Sequence, residues 1–228
     1  FQNETIFLMP FTEATGIGPG SSVEIISNDA TAKVSHNLLG RVIDASGDPL
    51  DGKEKPFCNE EVSLRGIPIN PMERTSIESI LDVGVKAINS FLTIGKGQRI
   101  GLIAGSGVGK SSLMGMLTRF TKADVVVIGL IGERGREVQE FIKESLGKEG
   151  LKKSVVIAAP ANISPVLRIR ATYLTHSIAE YFRNQGKSVL MMVDSLTRVA
   201  HAQREIGLAV GEPPTAKGYP PSVFSLLP

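Results

Sequence analysis

One stretch constrains the fold of this chain more than any other, and it reads Q-R-I-G-L-I-A-G-S-G-V-G-K-S-S-L-M-G-M-L over residues 98–117. Its apolar run at residues 100–104 predicts a buried strand. Three glycines at alternate positions follow, then Lys110 and two serines. Apolar residues next recur at helical spacing, at Leu113, Met116, Leu117 and Phe120. The stretch therefore predicts the strand, phosphate-binding loop and helix of a P-loop nucleotidase.

The residue types of this loop suit a bound polyphosphate. Glycine leaves room for backbone N–H groups to approach the phosphates, and the start of a helix adds unpaired N–H groups. We predict that Lys110 reaches the β and γ phosphates and that the Ser111 hydroxyl ligates Mg²⁺. The strict pattern requires glycine at position 104, where this chain has Ala104, which is still small. The predicted nucleotide-binding residues are Gly105, Ser106, Gly107, Val108, Gly109, Lys110, Ser111 and Ser112.

Two further strands are predicted to deliver charged residues to the same site. The apolar run at residues 188–193 ends in Asp194, which is typical of the strand whose carboxylate holds Mg²⁺ together with Ser111. The apolar run at 124–131 is followed by Glu133 and Arg134. Hydrolysis of a γ phosphate needs a group that orients the attacking water, so we predict Glu133 for that role. Arg134 is predicted to contact phosphate oxygens or a neighbouring subunit.

The pattern of predicted secondary structure changes near residue 66. Residues 1–65 contain runs rich in Val, Ile and Phe at 5–9, 21–27 and 33–44, separated by Gly and Pro turns, which predicts a partial small β-barrel domain. Residues 66–228 alternate apolar strands, expected at 124–131, 154–159 and 188–193, with helical stretches, expected at 78–91, 136–146 and 165–184. This alternation predicts a three-layer α/β domain with a mainly parallel sheet. Ligands of such sheets bind at the carboxyl ends of the strands.

Composition narrows the possible functions. The 228 residues include 25 basic and 23 acidic side chains, so no nucleic-acid or membrane-binding surface is indicated. No apolar run is long enough to span a membrane. Cys58 is the one cysteine, which excludes an internal disulfide and suits a reducing cytoplasm. The three histidines are scattered, and we do not expect them to bind a metal.

Several long motifs closely resemble the type III protein export ATPases, which are relatives of the catalytic subunit of rotary ATP synthase. They are G-S-G-V-G-K-S at 105–111, G-L-I-G-E-R-G-R-E-V at 129–138, M-V-D-S-L-T-R at 192–198 and G-E-P-P-T-A-K-G-Y-P-P-S-V-F at 211–224. Shorter matches, L-L-G-R-V-I-D, P-L-D-G and N-P-M-E-R, lie between residues 38 and 74. The similarity covers nearly the whole chain.

The resemblance implies a RecA-like, Mg²⁺-dependent ATPase that forms a homohexameric ring beneath the export gate of a flagellum or injectisome. It implies a cytoplasmic protein associated peripherally with the inner membrane, with stalk and regulator proteins, export substrates and chaperones as partners and no nucleic acid. By this resemblance Glu133 activates water and Lys110 and Arg134 contact phosphate. Members of the family continue into an arginine finger and a helical domain, so the 228 residues alone are expected to bind ATP weakly and to hydrolyse it hardly at all.

Two alternatives stay open from the sequence. One is a nucleotide-binding subunit of a rotary ATP synthase, although Glu133 argues against a non-catalytic version. The other is a Rho-like nucleic-acid translocase, which would need basic or aromatic residues on the barrel to bind and stack bases. The proline-rich loop at 211–221, with Lys217 and Tyr219, is expected to be stiff and to lie at a subunit interface or near the centre of the ring.

Overall fold

A four-stranded parallel sheet forms the centre of the computed structural model, which describes residues 7–12, 15–26, 30–66, 68–105 and 107–227. Its strands are β2 (Arg41–Ile43), β4 (Val125–Ile131), β5 (Ser154–Ala159) and β6 (Val189–Asp194). Their order in the sheet is β2-β5-β4-β6. The predictions of strands at 124–131, 154–159 and 188–193 are confirmed within a residue, because runs that are apolar on both faces suit a sheet covered on both sides.

Helices occupy the connections between the parallel strands, and two further helices follow β6. They are α1 (Lys86–Phe91), α2 (Lys110–Phe120), α3 (Gly135–Glu140), α4 (Gly147–Lys152), α5 (Pro165–Asn184), α6 (Leu196–Ala209) and α7 (Pro221–Leu226). A π-helical turn, Phe141–Leu146, joins α3 to α4. The predicted helix at 165–184 matches α5, whose start is fixed by Pro165 at its first position and by the Ser164 hydroxyl, which accepts a hydrogen bond from the N–H of Leu167.

The alternation of side chains along β4 produces two separate cores. Val127 faces the cluster that includes Ile178 and Phe182 of α5, and Val126 faces the cluster that includes Leu117 of α2. The second cluster also contains residues of α1, α3 and the π-helical turn. The predicted three-layer α/β architecture is therefore confirmed.

The segment before residue 66 differs from the predicted barrel. The stretch 33–44, expected as one strand, is divided into β1 (Thr31–Val34) and β2 by a 3-10 turn at His36–Leu38. β1 pairs antiparallel with β3 (Glu60–Ser63), whereas β2 pairs parallel with β5. β2 is thus an edge strand of the nucleotidase sheet. Within the described part of residues 1–65 there is no closed barrel, and the division of the chain at residue 66 stays a prediction.

Two predictions for the segment between residues 78 and 104 fail. Residues 100–104 form no ladder with any described strand and are exposed, with Ile103 99 % accessible, because the sheet ends at β6 and this segment does not reach it. The helix expected at 78–91 begins only at Lys86, since Leu81 is tied by its N–H to the carbonyl of Ile94 and Ile80 bridges to Gly95.

The strands expected at 5–9 and 21–27 are not formed by residues 7–9 and 21–26. The remaining residues of both runs lie outside the described part of the chain. On α2 the expected packing face is largely right, except that Phe120 is half exposed. None of the described helices is both long and apolar enough to cross a membrane.

Candidate active site

Three elements meet at the carboxyl edge of the sheet and bring the predicted residues together. β4 and β6 are neighbours in parallel register, with Leu130 opposite Asp194. Glu133 follows β4 by two residues, and Lys110 is the first residue of α2. Two strands that end side by side and a helix that begins above them place Lys110, Glu133 and Asp194 in one cluster, as the sequence predicts.

The loop that precedes α2 has the backbone conformation that the phosphate-loop prediction requires. Gly107 has φ +77° and Gly109, the N-cap of α2, has φ +95°, both in the left-handed region that favours glycine. Gly105, Val108 and the serines at 111 and 112 are exposed, and Ser106 lies outside the described residues. A cleft of about 350 Å³ runs beside the loop, lined by residues 101–104, 108–110 and 113. The first amides of α2 therefore face open space, where an anion can bind.

Lys110 and Asp194 form an ion pair across this site. The Lys110 ammonium contacts the Asp194 carboxylate, and Asp194 is only 7 % exposed. A buried carboxylate needs such a partner because desolvation disfavours its charge. A second cation at Asp194 would free the Lys110 ammonium to contact a phosphate.

The environment of Glu133 makes its carboxyl group a weak acid. Burial, a hydrogen bond with Glu137 and the nearby charge of Asp194 raise the pKa of Glu133 to about 7, although the charge of Lys110 opposes this rise. A hydrogen bond between two carboxyl groups needs one proton. Since the pKa of Glu137 is lowered by the same contact, the proton resides on Glu133. A carboxyl group that titrates near neutral pH is suited to accept a proton from water.

Arg134 lies next to this carboxyl group but points outward. Its side chain is 81 % exposed, and its Nη1 is 3.2 Å from Oε1 of Glu137. The prediction that Arg134 contacts phosphate or a neighbouring subunit is compatible with this exposure and stays untested.

Two charged residues at the site were given no role from the sequence. Arg198, in the first turn of α6, packs against Gly132, where an added Cβ would lie 2.6 Å from the Arg198 Cβ. The sequence feature that could have identified Arg198 is its position at the end of the motif M-V-D-S-L-T-R. Glu137 interacts with both Glu133 and Arg134. The sequence feature that could have identified it is its position at the start of a helix, four residues after Glu133 and three after Arg134.

The oxygen donors here suit a magnesium ion. Asp194 provides a carboxylate and Ser111 a hydroxyl, and Mg²⁺ prefers few protein oxygens together with water and phosphate. Asp194 has a cation beside it already, in the ammonium of Lys110. The residues therefore fit a divalent cation that would replace Lys110 at Asp194.

The proline-rich loop at 211–221 is held firmly on α6. The ring of Tyr219 stacks on His201 with 6.2 Å between centroids, and the Arg204 guanidinium lies 5.6 Å from the Tyr219 centroid. Thr215 donates to the Tyr219 carbonyl from both its N–H and its hydroxyl, at 2.9 and 2.6 Å. Lys217 is exposed at the tip of this turn. These contacts hold Tyr219 on α6, while the expected stiffness of the loop and its expected position in a ring stay predictions.

Comparison with known proteins finds relatives that are named as ATPases or ATP synthases. The model of the ATP synthase alpha/beta family, nucleotide-binding domain, matches residues 84–228. The chain is 57 % identical to the flagellum-specific ATP synthase of Bacillus subtilis over all 228 residues and 52 % of that relative. It is 48 % identical to the type 3 secretion system ATPase of Xanthomonas euvesicatoria, with the same coverage of both chains.

A solved structure is similar over most of the chain. It is the assembled ATPase EscN in complex with its central stalk EscO from the type III secretion system of enteropathogenic E. coli. The TM-score is 0.91 at 44 % identity, covering 96 % of this chain and 54 % of that one. The chain spans about half the length of the curated relatives it matches. The phosphate loop, the paired strands β4 and β6 with Glu133 and Asp194 at their carboxyl ends, and these similarities lead to one conclusion: the chain belongs to the ATP synthase alpha/beta family.

Proposed function

We propose that the full-length protein is a Mg²⁺-dependent ATPase that energises protein export by a bacterial type III secretion apparatus, flagellar or injectisome. The observation that carries this proposal is the cluster at the carboxyl edge of the sheet, where Lys110 and Asp194 are paired beside Glu133. Relatives named as flagellum-specific ATP synthases and as a type 3 secretion ATPase support the export function.

Each residue has a role that its position allows. The residues 105–112 bind the phosphates through the free amides at the start of α2, and Lys110 contacts the terminal phosphates once it leaves Asp194. Ser111 and Asp194 hold Mg²⁺, which supplies charge stabilisation to the transferring phosphoryl group. In its ionised form, which prevails above its pKa of about 7, Glu133 orients a water molecule and accepts its proton. Arg134 contacts the phosphate, for which its exposed guanidinium is free to swing inward.

The proposed partners follow from the relatives. The similar EscN structures are of the assembled ATPase, one of them with its central stalk, so we propose that this protein forms a homohexameric ring around a stalk protein. Export substrates, chaperones and regulators bind the complete protein, which lies in the cytoplasm at the inner membrane. We place the loop at 211–221 at an interface of the ring or facing the stalk, since its closed turn presents Lys217 to the outside.

The first test is steady-state hydrolysis of Mg·ATP by the full-length protein over a range of concentrations. The matched variants are Glu133→Gln and Glu149→Gln, the latter an exposed acid on α4 that pairs with Lys152. We expect specific activity to rise with concentration as rings form. We expect Glu133→Gln to abolish turnover while it retains nucleotide binding, and Glu149→Gln to behave as the unsubstituted protein.

Two outcomes would contradict the proposal. Turnover that survives Glu133→Gln would place the water-activating group elsewhere. Tight nucleotide binding without hydrolysis in the unsubstituted protein would favour a non-catalytic subunit of the rotary type.

A further inference from the structure

Two helical segments that begin at the candidate active site pack against each other away from it. The first is α2, which begins at Lys110. The second consists of α3 and the π-helical turn, begins two residues after Glu133 and runs to Leu146. Its backbone stays right-handed helical where α3 passes into the turn, at Glu140 and Phe141. The packing of the two segments therefore influences the distance between Lys110 and Glu133.

The backbones of the two segments meet at Gly115. This residue is buried in the middle of α2, and a Cβ added to it would lie closest to the carbonyl oxygen of Ser145, in the π-helical turn, and 2.8 Å from the carbonyl carbon. Met114 and Leu117 of α2 share one buried cluster with Leu146 of the turn. Glycine weakens a helix interior, and this close approach is a physical reason for its presence here.

The contact lies near the phosphate loop. Gly115 follows Lys110 by five residues, which is about 7–8 Å along the helix axis. A helix is stiff over one or two turns, so a displacement at Gly115 moves Lys110 and the end of the loop with it. Glu133 is held elsewhere, because its backbone carbonyl accepts a hydrogen bond from the N–H of Ala161 at 3.0 Å. A displacement of α2 would thus change the separation of Lys110 and Glu133.

We propose that Gly115 is a positioning residue for ATP hydrolysis, whose backbone contact with Ser145 holds α2, and with it Lys110, at the distance from Glu133 that the reaction needs. This inference rests on the proposed function of Lys110 and Glu133. Gly115 acts through Lys110 and is assigned no contact with the nucleotide.

The test variant is Gly115→Ala, and the geometry sets the size of its effect. An ordinary contact of a Cβ begins at 3.4 Å, so the backbones of α2 and the π-helical turn must part by at least about 0.6 Å. A misplacement of about 1 Å in a catalytic site can lower the rate about 100-fold.

The matched control is Gly150→Ala, in α4. The atoms nearest to a Cβ added there belong to side chains, Cδ1 of Leu146 at 2.9 Å and Cγ of Arg119 at 3.1 Å, and these can move aside. Both glycines are helical and neither has a left-handed φ, so both variants gain helix propensity and both are expected to fold.

The experiment measures kcat and KM for Mg·ATP in the full-length protein, with thermal unfolding of each variant as the check of folding. We expect kcat of Gly115→Ala to be about 10- to 100-fold below that of Gly150→Ala. KM should differ by less than about threefold, because the phosphate loop moves with α2 as one unit. Equal kcat values in the two variants would overturn the inference, and so would a rise in KM with kcat unchanged.

A binding measurement without turnover distinguishes this inference from the proposed function. ADP alone, and Mg·ADP with aluminium fluoride in place of the transferring phosphoryl group, are titrated at equilibrium into both variants. Gly115→Ala should weaken binding of the fluoride complex about 10- to 100-fold and leave the affinity for ADP unchanged, because only the fluoride complex needs both helical segments in register. If the unsubstituted protein does not hydrolyse ATP, the proposed function fails. Positioning by Gly115 would still require this selective loss, and equal affinities for the fluoride complex in the two variants would refute it.

Discussion

Gly132 lies where the strand β4 delivers Glu133, and replacing it with alanine tests how tightly the site is built. Its φ of +71° is in the left-handed region, where a Cβ costs about 1–2 kcal/mol. That Cβ would lie 2.6 Å from the Cβ of Arg198 and 2.9 Å from its Cγ. The backbone cannot retreat easily, because the Gly132 N–H donates to the carbonyl of Ala159 at 2.7 Å. Overpacking of this kind costs a further 1–3 kcal/mol or so.

The matched control is Gly186→Ala. Gly186 has a similar φ of +77°, but nothing lies within 4 Å of an added Cβ, so this variant bears only the backbone cost. For a chain of this size about 1 kcal/mol lowers Tm by roughly 2–4 °C. The extra clash at Gly132 should therefore lower Tm by about 2–12 °C below that of Gly186→Ala. Thermal unfolding followed by circular dichroism measures the difference.

The same substitution should disturb function through the neighbouring residue. A shift of the backbone at position 132 moves Glu133, so we expect Gly132→Ala to lower kcat in the full-length protein by about 100-fold, while Gly186→Ala leaves it unchanged. Equal Tm values for the two variants would refute the reasoning, since the contact with Arg198 would then add no free-energy cost.

Three other predictions concern stability and protonation. The contact with Arg41 lowers the pKa of Asp51 to about 2. The ion pair therefore stabilises the folded state by about 2 kcal/mol above pH 4, and this contribution is lost as pH falls toward 2. The difference in Tm between the unsubstituted protein and Asp51→Asn should shrink over that range. Phe182, on α5, is fully buried against the sheet, so Phe182→Ala should lower the free energy of unfolding, measured in urea, by about 3–5 kcal/mol. A loss below about 1 kcal/mol would show that the structure collapses around the cavity. Because the pKa of Glu133 in the folded state is raised to about 7, the contribution of this residue to stability is full below pH 4.5 and is lost as pH rises through 7. NMR titration of the Glu133 carboxyl carbon should give that pKa, and Lys110→Ala should raise it further. A lower pKa in the variant would contradict the assigned charges.

The sequence alone was sufficient to predict the elements that are specified by residues close together in the chain. The start of α5 is specified by Ser164 and Pro165, and the fully apolar runs of β4 and β5 predict strands buried on both faces. The loop glycines at 107 and 109 take the left-handed conformation for which glycine is preferred. Such features depend on side chains within a few residues of one another, and these are visible in the order of the chain.

The sequence was less informative where pairing between distant segments decides the outcome. The run at 33–44 is apolar enough for one strand, but β2 joins β5, more than a hundred residues away, and β1 joins β3 instead. The run at 100–104 has the composition of a buried strand, yet it is exposed, because no described strand pairs with it. Strand composition reports the ability to pair, and the partner is set by the tertiary arrangement.

At the site itself, the sequence determined which residues are present, and the tertiary structure determined what they contact. The motifs singled out Lys110, Glu133 and Asp194 because phosphate and Mg²⁺ chemistry needs those residue types at strand ends and a helix start. The ion pair between Lys110 and Asp194 joins residues that are 84 positions apart, and the raised pKa of Glu133 arises from burial and from the nearby charge of Asp194. Desolvation and charge proximity act through space, so only the folded chain could fix them.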